Sequence, residues 1–329
     1  MARPVSLDLS IVIPIHNEAP SLEPLYRELT DTLGPSQWSY ELILVDDGST
    51  DQSFEILSRL QGRDDRVRII QFRRNFGQTA AFAAGFAEAR GRLIVTSDGD
   101  LQNDPRDIPA LVNRLENENL DIVCGWRRER KDPLLTRRLP SQMANRIISW
   151  ATGVYLNDYG CSLKVFRAEV VKPLRLYGEL HRFLPALASE VGVKIAEMPV
   201  NHRARQHGRS KYGLSRTIRV LLDLVTVKFL LSYSTRPLQM FGFVGGAMGL
   251  VGACILGYLG TVRILGWQQL TPRQPLVLFA ILLVFTGVQL VTLGLLAELQ
   301  ARTYHESQGK PVYVIRRILQ APRREDESY

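Results

Sequence analysis

The sequence predicts an α/β domain built on a mostly parallel sheet, followed by a C-terminal two-helix membrane hairpin. Three observations carry that expectation. Through roughly the first two hundred residues, five short apolar runs alternate with amphipathic stretches, the rhythm of strands covered by helices. Two later segments, Pro237 to Val262 and Pro275 to Ala297, contain no Asp, Glu, Lys or Arg, and each has about the 20 residues that cross a hydrocarbon core as a helix. Two carboxylate pairs, Asp46-Asp47 and Asp98-Gly99-Asp100, follow apolar runs, where packing alone would not select charge.

Taken in order, the expected strands are Leu9 to Ile15, Glu41 to Val45, Val67 to Phe72, Leu93 to Ser97 and Asp121 to Gly125. Between them fall helices over Pro20 to Leu33, Asp51 to Leu60, Thr79 to Arg90 and Asp107 to Asn117. Gly34, Gly48, Gly91 and Asp104-Pro105 punctuate the elements. Open sheets of this kind bind ligands beyond the carboxyl ends of their strands, and both carboxylate pairs fall there. Ser141 to Gly153 has a helical pattern with Arg146 and Trp150 among apolar residues, which suits either the headgroup layer or the domain core. Residues 214–236 carry Arg216, Arg219 and Lys228 on an apolar helix that runs into the first span, so an interfacial position is expected.

The hairpin comprises spans 237–262 and 275–298, joined by an extracytoplasmic loop over 263–274 and followed by a tail over 299–329, disordered from Ala321 onward. Positive residues crowd its outer flanks, whereas the loop holds only Arg263 and Arg273, so the positive-inside rule puts both termini in the cytoplasm. Gly242 with Gly246, and Gly245 with Gly249, permit close helix contact, either within the hairpin or between subunits of a homo-oligomer. Thr286, Gln289 and Thr292 suit interhelical contacts, since no ionisable residue lies at mid-depth to mark a transport path.

A chain of 329 residues with 45% hydrophobic content can fill a full α/β core and still supply an anchor. The mean hydropathy of -0.05 averages a polar front with an apolar back. Much of the net charge of +8 sits in Arg127 to Arg138 and His202 to Arg219. The second patch leads directly into the membrane segments, which favours lipid phosphate over nucleic acid. Cys124, Cys161 and Cys254 have neither disulfide-framework nor zinc spacing. The first apolar run is too short for a signal-peptide core, so the bulk of the protein is expected to stay where it is made.

Pro14-Ile15-His16-Asn17-Glu18, Val45-Asp46-Asp47-Gly48-Ser49-Thr50-Asp51 and Ser97-Asp98-Gly99-Asp100-Leu101-Gln102 form an ordered set. It resembles the family 2 glycosyltransferases of the Rossmann-like GT-A fold, over about the first 215 residues. Phe72-Arg73-Arg74-Asn75-Phe76-Gly77, Gly160-Cys161-Ser162-Leu163-Lys164 and Gly208-Arg209-Ser210-Lys211-Tyr212 narrow the likeness to polyprenyl-phosphate glycosyltransferases related to dolichyl-phosphate mannose synthase. The two-span end is similar to bacterial bactoprenol glucosyltransferases.

The resemblance implies roles by position. Pro14, His16 and Glu18 line a base and ribose pocket, with Asp46 and Asp47 as acceptors; taken alone, Asp46 to Thr50 would be a turn and helix cap, a reading that becomes the minor one beside the second carboxylate pair. Asp98 and Asp100 hold Mg²⁺ or Mn²⁺, with Gln102 beside it and Gly99 between the carboxylates. Arg127 meets a phosphate, while Arg203, Arg205, Ser210 and Lys211 form a basic lid over donor diphosphate and lipid phosphate. Asp158 stands where inverting relatives place a base; a phosphate acceptor is already ionised near neutral pH, so orienting reactants or holding Arg127 or Lys211 is the alternative.

The expected reaction is inverting transfer of a hexose, glucose first, from a UDP-sugar to polyprenyl (undecaprenyl) phosphate at the cytoplasmic membrane face. Mannose from GDP-mannose and an amino-arabinose are the alternative donors. A non-catalytic nucleotide-binding scaffold is the rival from another class, and the intact Asp98, Asp100 and Lys211 set argues against it. A processive polysaccharide synthase would need a Gln-x-x-Arg-Trp element and several more spans.

Overall fold

The computed structural model describes residues 7–128, 145, 148–149, 152–174, 176, 180–189, 192–204, 237–265, 274–307 and 313–320. The chain divides into one unit made of residues 1–224 and 311–329 and a second made of residues 225–310.

In the first unit, strands β1 (Leu9–Ile15), β2 (Tyr40–Asp46), β3 (Val67–Phe72) and β4 (Leu93–Thr96) run parallel, with Ile15 opposite Asp46 and Val12 opposite Thr96. Between them lie helices α1 (Ala19–Leu33), α2 (Ser53–Gln61) and α3 (Gln78–Glu88), and α4 (Ile108–Asn117) leads into β5 (Ile122–Trp126). Nearly every residue of β1 to β4 is buried, because helices cover both faces of a parallel sheet. Leu22, Leu25, Leu29 and Leu33 of α1 recur at helical spacing and enter the core with Ile11, Ile13 and Ile15. Each such fully buried side chain contributes roughly 1.5–3 kcal/mol. A Cβ on Gly85 would come within 2.1 Å of Val12, so α3 lies on β1 at a distance that a larger residue would forbid.

All five expected strands and four expected helices form, with ends displaced by no more than two residues. Three further strands complete the sheet. β6 (Lys164–Arg167) inserts antiparallel between β4 and β5, and β7 (Ile195–Pro199) pairs parallel with β5. Short helices α5 (Ala168–Val171) and α6 (Leu184–Ser189) lie between those two strands. β8 (Ile315–Leu319), in a segment expected only as a tail, pairs antiparallel with β3. The spatial order is β7-β5-β6-β4-β1-β2-β3-β8. At the amino end of the parallel strands, Arg68 meets Glu41 at 3.0 Å in a buried pair and also bonds Gln320, just beyond β8.

The second unit holds α7 (Pro237–Ile264) and α8 (Gln274–Ser307). Within them, Phe241–Ile264 and Gln274–Leu296 are long and apolar enough to cross a membrane. Leu250, Leu278 and Phe285 are exposed, a surface suited to a hydrocarbon surrounding. The two helices pack against each other: a Cβ on Gly245 would lie 2.5 Å from the Gly287 carbonyl, and one on Gly252 would lie 2.7 Å from the Ala280 carbonyl. The close approach permitted by small residues is thus used inside the hairpin. Most of 141–153, all of 214–236, the loop residues after 265 and the tail from Ala321 lie outside the described residues.

Candidate active site

Parallel strands end together at their carboxyl edge, and the candidate residues follow them there. After β1, Pro14 and His16 are half-buried, and His16 Nδ1 lies 2.9 Å from the Asp47 carbonyl oxygen. Asn17 adopts a left-handed φ of 57° and accepts from Thr50 N–H at 2.8 Å, while Glu18 N–H donates to Ser53 Oγ at 3.1 Å. The end of β1 is therefore stitched to the turn after β2.

Asp46 and Asp47 are both buried. Asp46 accepts from Ser49 N–H (3.0 Å) and Gln71 Nε2 (3.2 Å). Asp47 accepts from Phe76 N–H (2.6 Å) and Gly77 N–H (2.9 Å), at the start of α3. Burial raises the Asp47 pKa above its ordinary value, and these two N–H groups oppose the rise. Gly48 has φ 65°, and a Cβ there would lie 2.4 Å from the Arg74 backbone, so only glycine fits between the two loops. The bonds made by both carboxylates are those of a turn and helix-end brace.

Asp98 to Gln102 follow β4. Asp98 and Asp100 are half-buried, and Gln78 Nε2 donates to Asp98 Oδ1 at 2.6 Å. Gln102 N–H donates to Asp100 Oδ1 at 3.2 Å, which curls the loop back on itself. A Cβ on Gly99 would lie 2.5 Å from Ile15 Cδ1, so the loop sits directly against the end of β1. Leu101 has φ 63°, a conformation costing about 1–3 kcal/mol for such a residue, and its side chain is buried. Among the described residues no group of three or more His, Cys, Asp or Glu side chains could hold a metal ion. A pair of hard carboxylates fits Mg²⁺ or Mn²⁺, which take one or two protein carboxylates and complete their shell with phosphate oxygens and water.

Arg127 follows β5 and meets Asp158 in a fork: Nε donates to Oδ2 at 2.7 Å and Nη2 to Oδ1 at 2.9 Å. Burial alone would lower the Arg127 pKa; the Asp158 bonds and charge, with a smaller contribution from Asp98, raise it instead. Arg127 thus remains a cation within the field of Asp98. Glu197 of β7 fixes the segment bearing Asp158, accepting from Asn157 N–H (2.7 Å) and Asp158 N–H (3.0 Å). A Cβ on Gly160 would lie 3.0 Å from Arg127 Nη2, so this glycine makes room for the guanidinium.

The segment entering the basic loop is tied to the carboxylate loop. Asn103 and His202 form an antiparallel bridge, and Arg203 N–H donates to the Gln102 carbonyl at 2.9 Å. The Arg203 side chain bonds Glu28 of α1 (2.7 Å) and Asp104 (2.9 Å), so it is engaged in protein contacts. Arg205, Ser210 and Lys211 lie outside the described residues.

Gln71, Gln78 and Glu197 were not singled out in the sequence. Each holds a candidate residue through an amide or carboxylate from a different element, and no local spacing marks such a partner. His181 was also missed: buried beside Thr79, it shares a 2.7 Å hydrogen bond with that hydroxyl.

The profile of glycosyl transferase family 2 matches residues 10–172. The chain is 47% identical over 317 residues to the dodecaprenyl-phosphate galacturonate synthase of Rhizobium johnstonii, covering 95% of this chain and 94% of that one. It is 38% identical over 321 residues to the undecaprenyl-phosphate 4-deoxy-4-formamido-L-arabinose transferase of Pseudomonas aeruginosa, covering 97% and 93%. Glucosyl-3-phosphoglycerate synthase from Mycobacterium tuberculosis, in complex with Mn²⁺, uridine diphosphate and phosphoglyceric acid, superposes with a TM-score of 0.53 at 19% identity, over 68% of this chain and 78% of that one. That likeness shows the fold, the GT-A arrangement. Aligned at these identities along nearly its whole length, the chain belongs to glycosyl transferase family 2.

Proposed function

We propose that this protein transfers a glycosyl group from a nucleotide sugar to polyprenyl phosphate at a membrane surface. One observation carries the reading: a chain with this carboxylate loop aligns over 94–97% of its residues, hairpin included, with enzymes named for polyprenyl-phosphate sugars. Glucose finds no support in those names. Galacturonate becomes the first donor sugar to test, from the 47% identical relative, and 4-formamido-arabinose the second, from relatives at 36–41%. The latter keeps to the amino-arabinose alternative.

In this reading an acceptor phosphate oxygen attacks the anomeric carbon as the bond to the nucleoside diphosphate breaks, with inversion. Asp98 and Asp100, with Gln102 adjacent, would hold a divalent ion, which would supply Lewis-acid stabilisation to the departing diphosphate. The acceptor is a phosphomonoester with a second pKa near 6, so it needs no base at neutral pH. Asp158, already forked to Arg127, acts as an orienting group that fixes a permanent cation for phosphate oxygens. Pro14, His16 and Glu18, with the braced turn 46–49, line the nucleotide pocket. Arg205, Ser210 and Lys211 close over the phosphates. The hairpin anchors the catalytic unit, with both termini on the cytoplasmic side.

Detergent-extracted protein is incubated with polyprenyl phosphate and labelled UDP-galacturonate or UDP-glucose, in Mg²⁺ or in EDTA. Label is expected in the organic-soluble lipid from UDP-galacturonate, in Mg²⁺ only, and is expected to vanish in Asp100→Ala. Labelling from another donor would change the sugar and keep the reaction. Nucleotide binding with no lipid labelled from any donor would favour the non-catalytic scaffold.

A further inference from the structure

We infer that Arg317, on the strand that follows the membrane helices in sequence, is a positioning residue for the donor-nucleotide pocket. The inference rests on the donor reading given above and adds to it an element outside the carboxylate motifs. Arg317 stands opposite Gln71 in the β3–β8 ladder, and its Nε donates to Gln71 Oε1 at 2.8 Å. Its guanidinium is also held 4.2 Å over the Phe54 ring of α2.

A side-chain amide has one accepting and one donating end, and the two can exchange by rotation. Because Arg317 occupies the accepting end of Gln71, the donating end faces Asp46, where Nε2 reaches Oδ2 at 3.2 Å. Were the amide reversed, its oxygen would face a buried carboxylate and repel it. Asp46 in turn accepts from Ser49 N–H and so sets the turn that contains Gly48. The order is therefore cation, amide, carboxylate, turn. It crosses β8, β3 and β2 and ends at the residues assigned to the nucleotide.

A second set of contacts from the same segment reaches the other carboxylate. Tyr313 stacks on Phe72 at 5.2 Å, Phe72 meets Phe76 edge-on at 5.7 Å, and Phe76 N–H donates to Asp47. Both members of the Asp46-Asp47 pair are thus braced by residues just beyond the hairpin in sequence. Arg317 itself is exposed, so its replacement opens no cavity and leaves the core packing intact.

The test uses the full-length protein in detergent, with UDP binding followed by calorimetry and Tm measured in parallel. Arg317→Gln is expected to weaken UDP binding about tenfold, by leaving the Gln71 amide free to reverse and release Asp46. Its Tm should remain within a few degrees of wild type. Arg317→Lys, which keeps a cationic donor, should recover most of the affinity. Gln71→Leu should weaken binding similarly, and the double variant should lose no more than either single one. Unchanged affinity in Arg317→Gln, with wild type binding normally, would overturn the inference alone. So would a loss that lysine does not rescue and that follows a fall in Tm. Wild-type protein that binds neither UDP nor GDP would overturn the donor reading, and this inference with it.

Discussion

At the scale of single residues, the Arg127–Asp158 pair decides how the site can work. A carboxylate whose two oxygens each accept from one guanidinium is poorly suited to remove a proton, and well suited to fix a planar cation. Lysine cannot make that fork. Arg127→Lys is therefore expected to lower kcat/KM by about tenfold or more, with Tm little changed. Asp158→Asn should cause a similar loss, and combining the two should add little, because they remove one unit. Near wild-type turnover in both single variants would remove the pair from the proposed chemistry. The sequence marked both residues and offered Arg127 as one of two partners for Asp158; the fold brought these two into bonding distance.

At the scale of elements, the loops after β1, β2, β3 and β4 brace one another. Gly48 is the narrowest point, with a left-handed φ and the Arg74 backbone where a side chain would begin. Gly48→Ala should destabilise the protein by about 1–3 kcal/mol from backbone strain alone, before any clash. Differential scanning fluorimetry is expected to show a lower Tm together with weaker UDP binding, and an unchanged Tm would contradict the packing described. The strands that bear these loops were legible as apolar runs between turn residues, because burial on both faces leaves no other pattern. β6 was not, since Lys164-Val165-Phe166-Arg167 holds only two apolar residues between two cations. β7 and β8 were hidden for a related reason: edge strands are half-exposed, and their composition approaches that of loops.

At the scale of the whole molecule, stability should depend on pH through the buried His181. Burial, with Arg182 and Lys164 adding positive charge, lowers its pKa from 6.5 to about 3. The unfolded chain thus takes up this proton below pH 6.5, while the folded chain resists it until pH 3. The stabilisation from a neutral histidine is complete above pH 6.5 and falls as pH drops towards 3. Between pH 7 and 4, wild-type Tm should fall more steeply than that of His181→Phe, whose replacement ring faces Phe82. Parallel profiles would mean that His181 does not titrate with unfolding.

The sequence by itself determined the class of fold, the five strands β1 to β5, the two apolar spans, the family and the positions of the carboxylates. These are local properties, carried by burial patterns, span length and motif spacing. The sequence also left the use of its glycines open, and the packed helices direct Gly245, Gly252 and Gly287 to contacts within the hairpin. Only the tertiary structure decided what each polar residue bonds: Asp46 to Gln71, Asp98 to Gln78, Asp158 to Arg127, and β8 to β3. Several of these partners are far apart in sequence, 246 residues in the case of Gln71 and Arg317. A hydrogen bond of that kind depends on where folding places two groups, and no spacing in the chain encodes it.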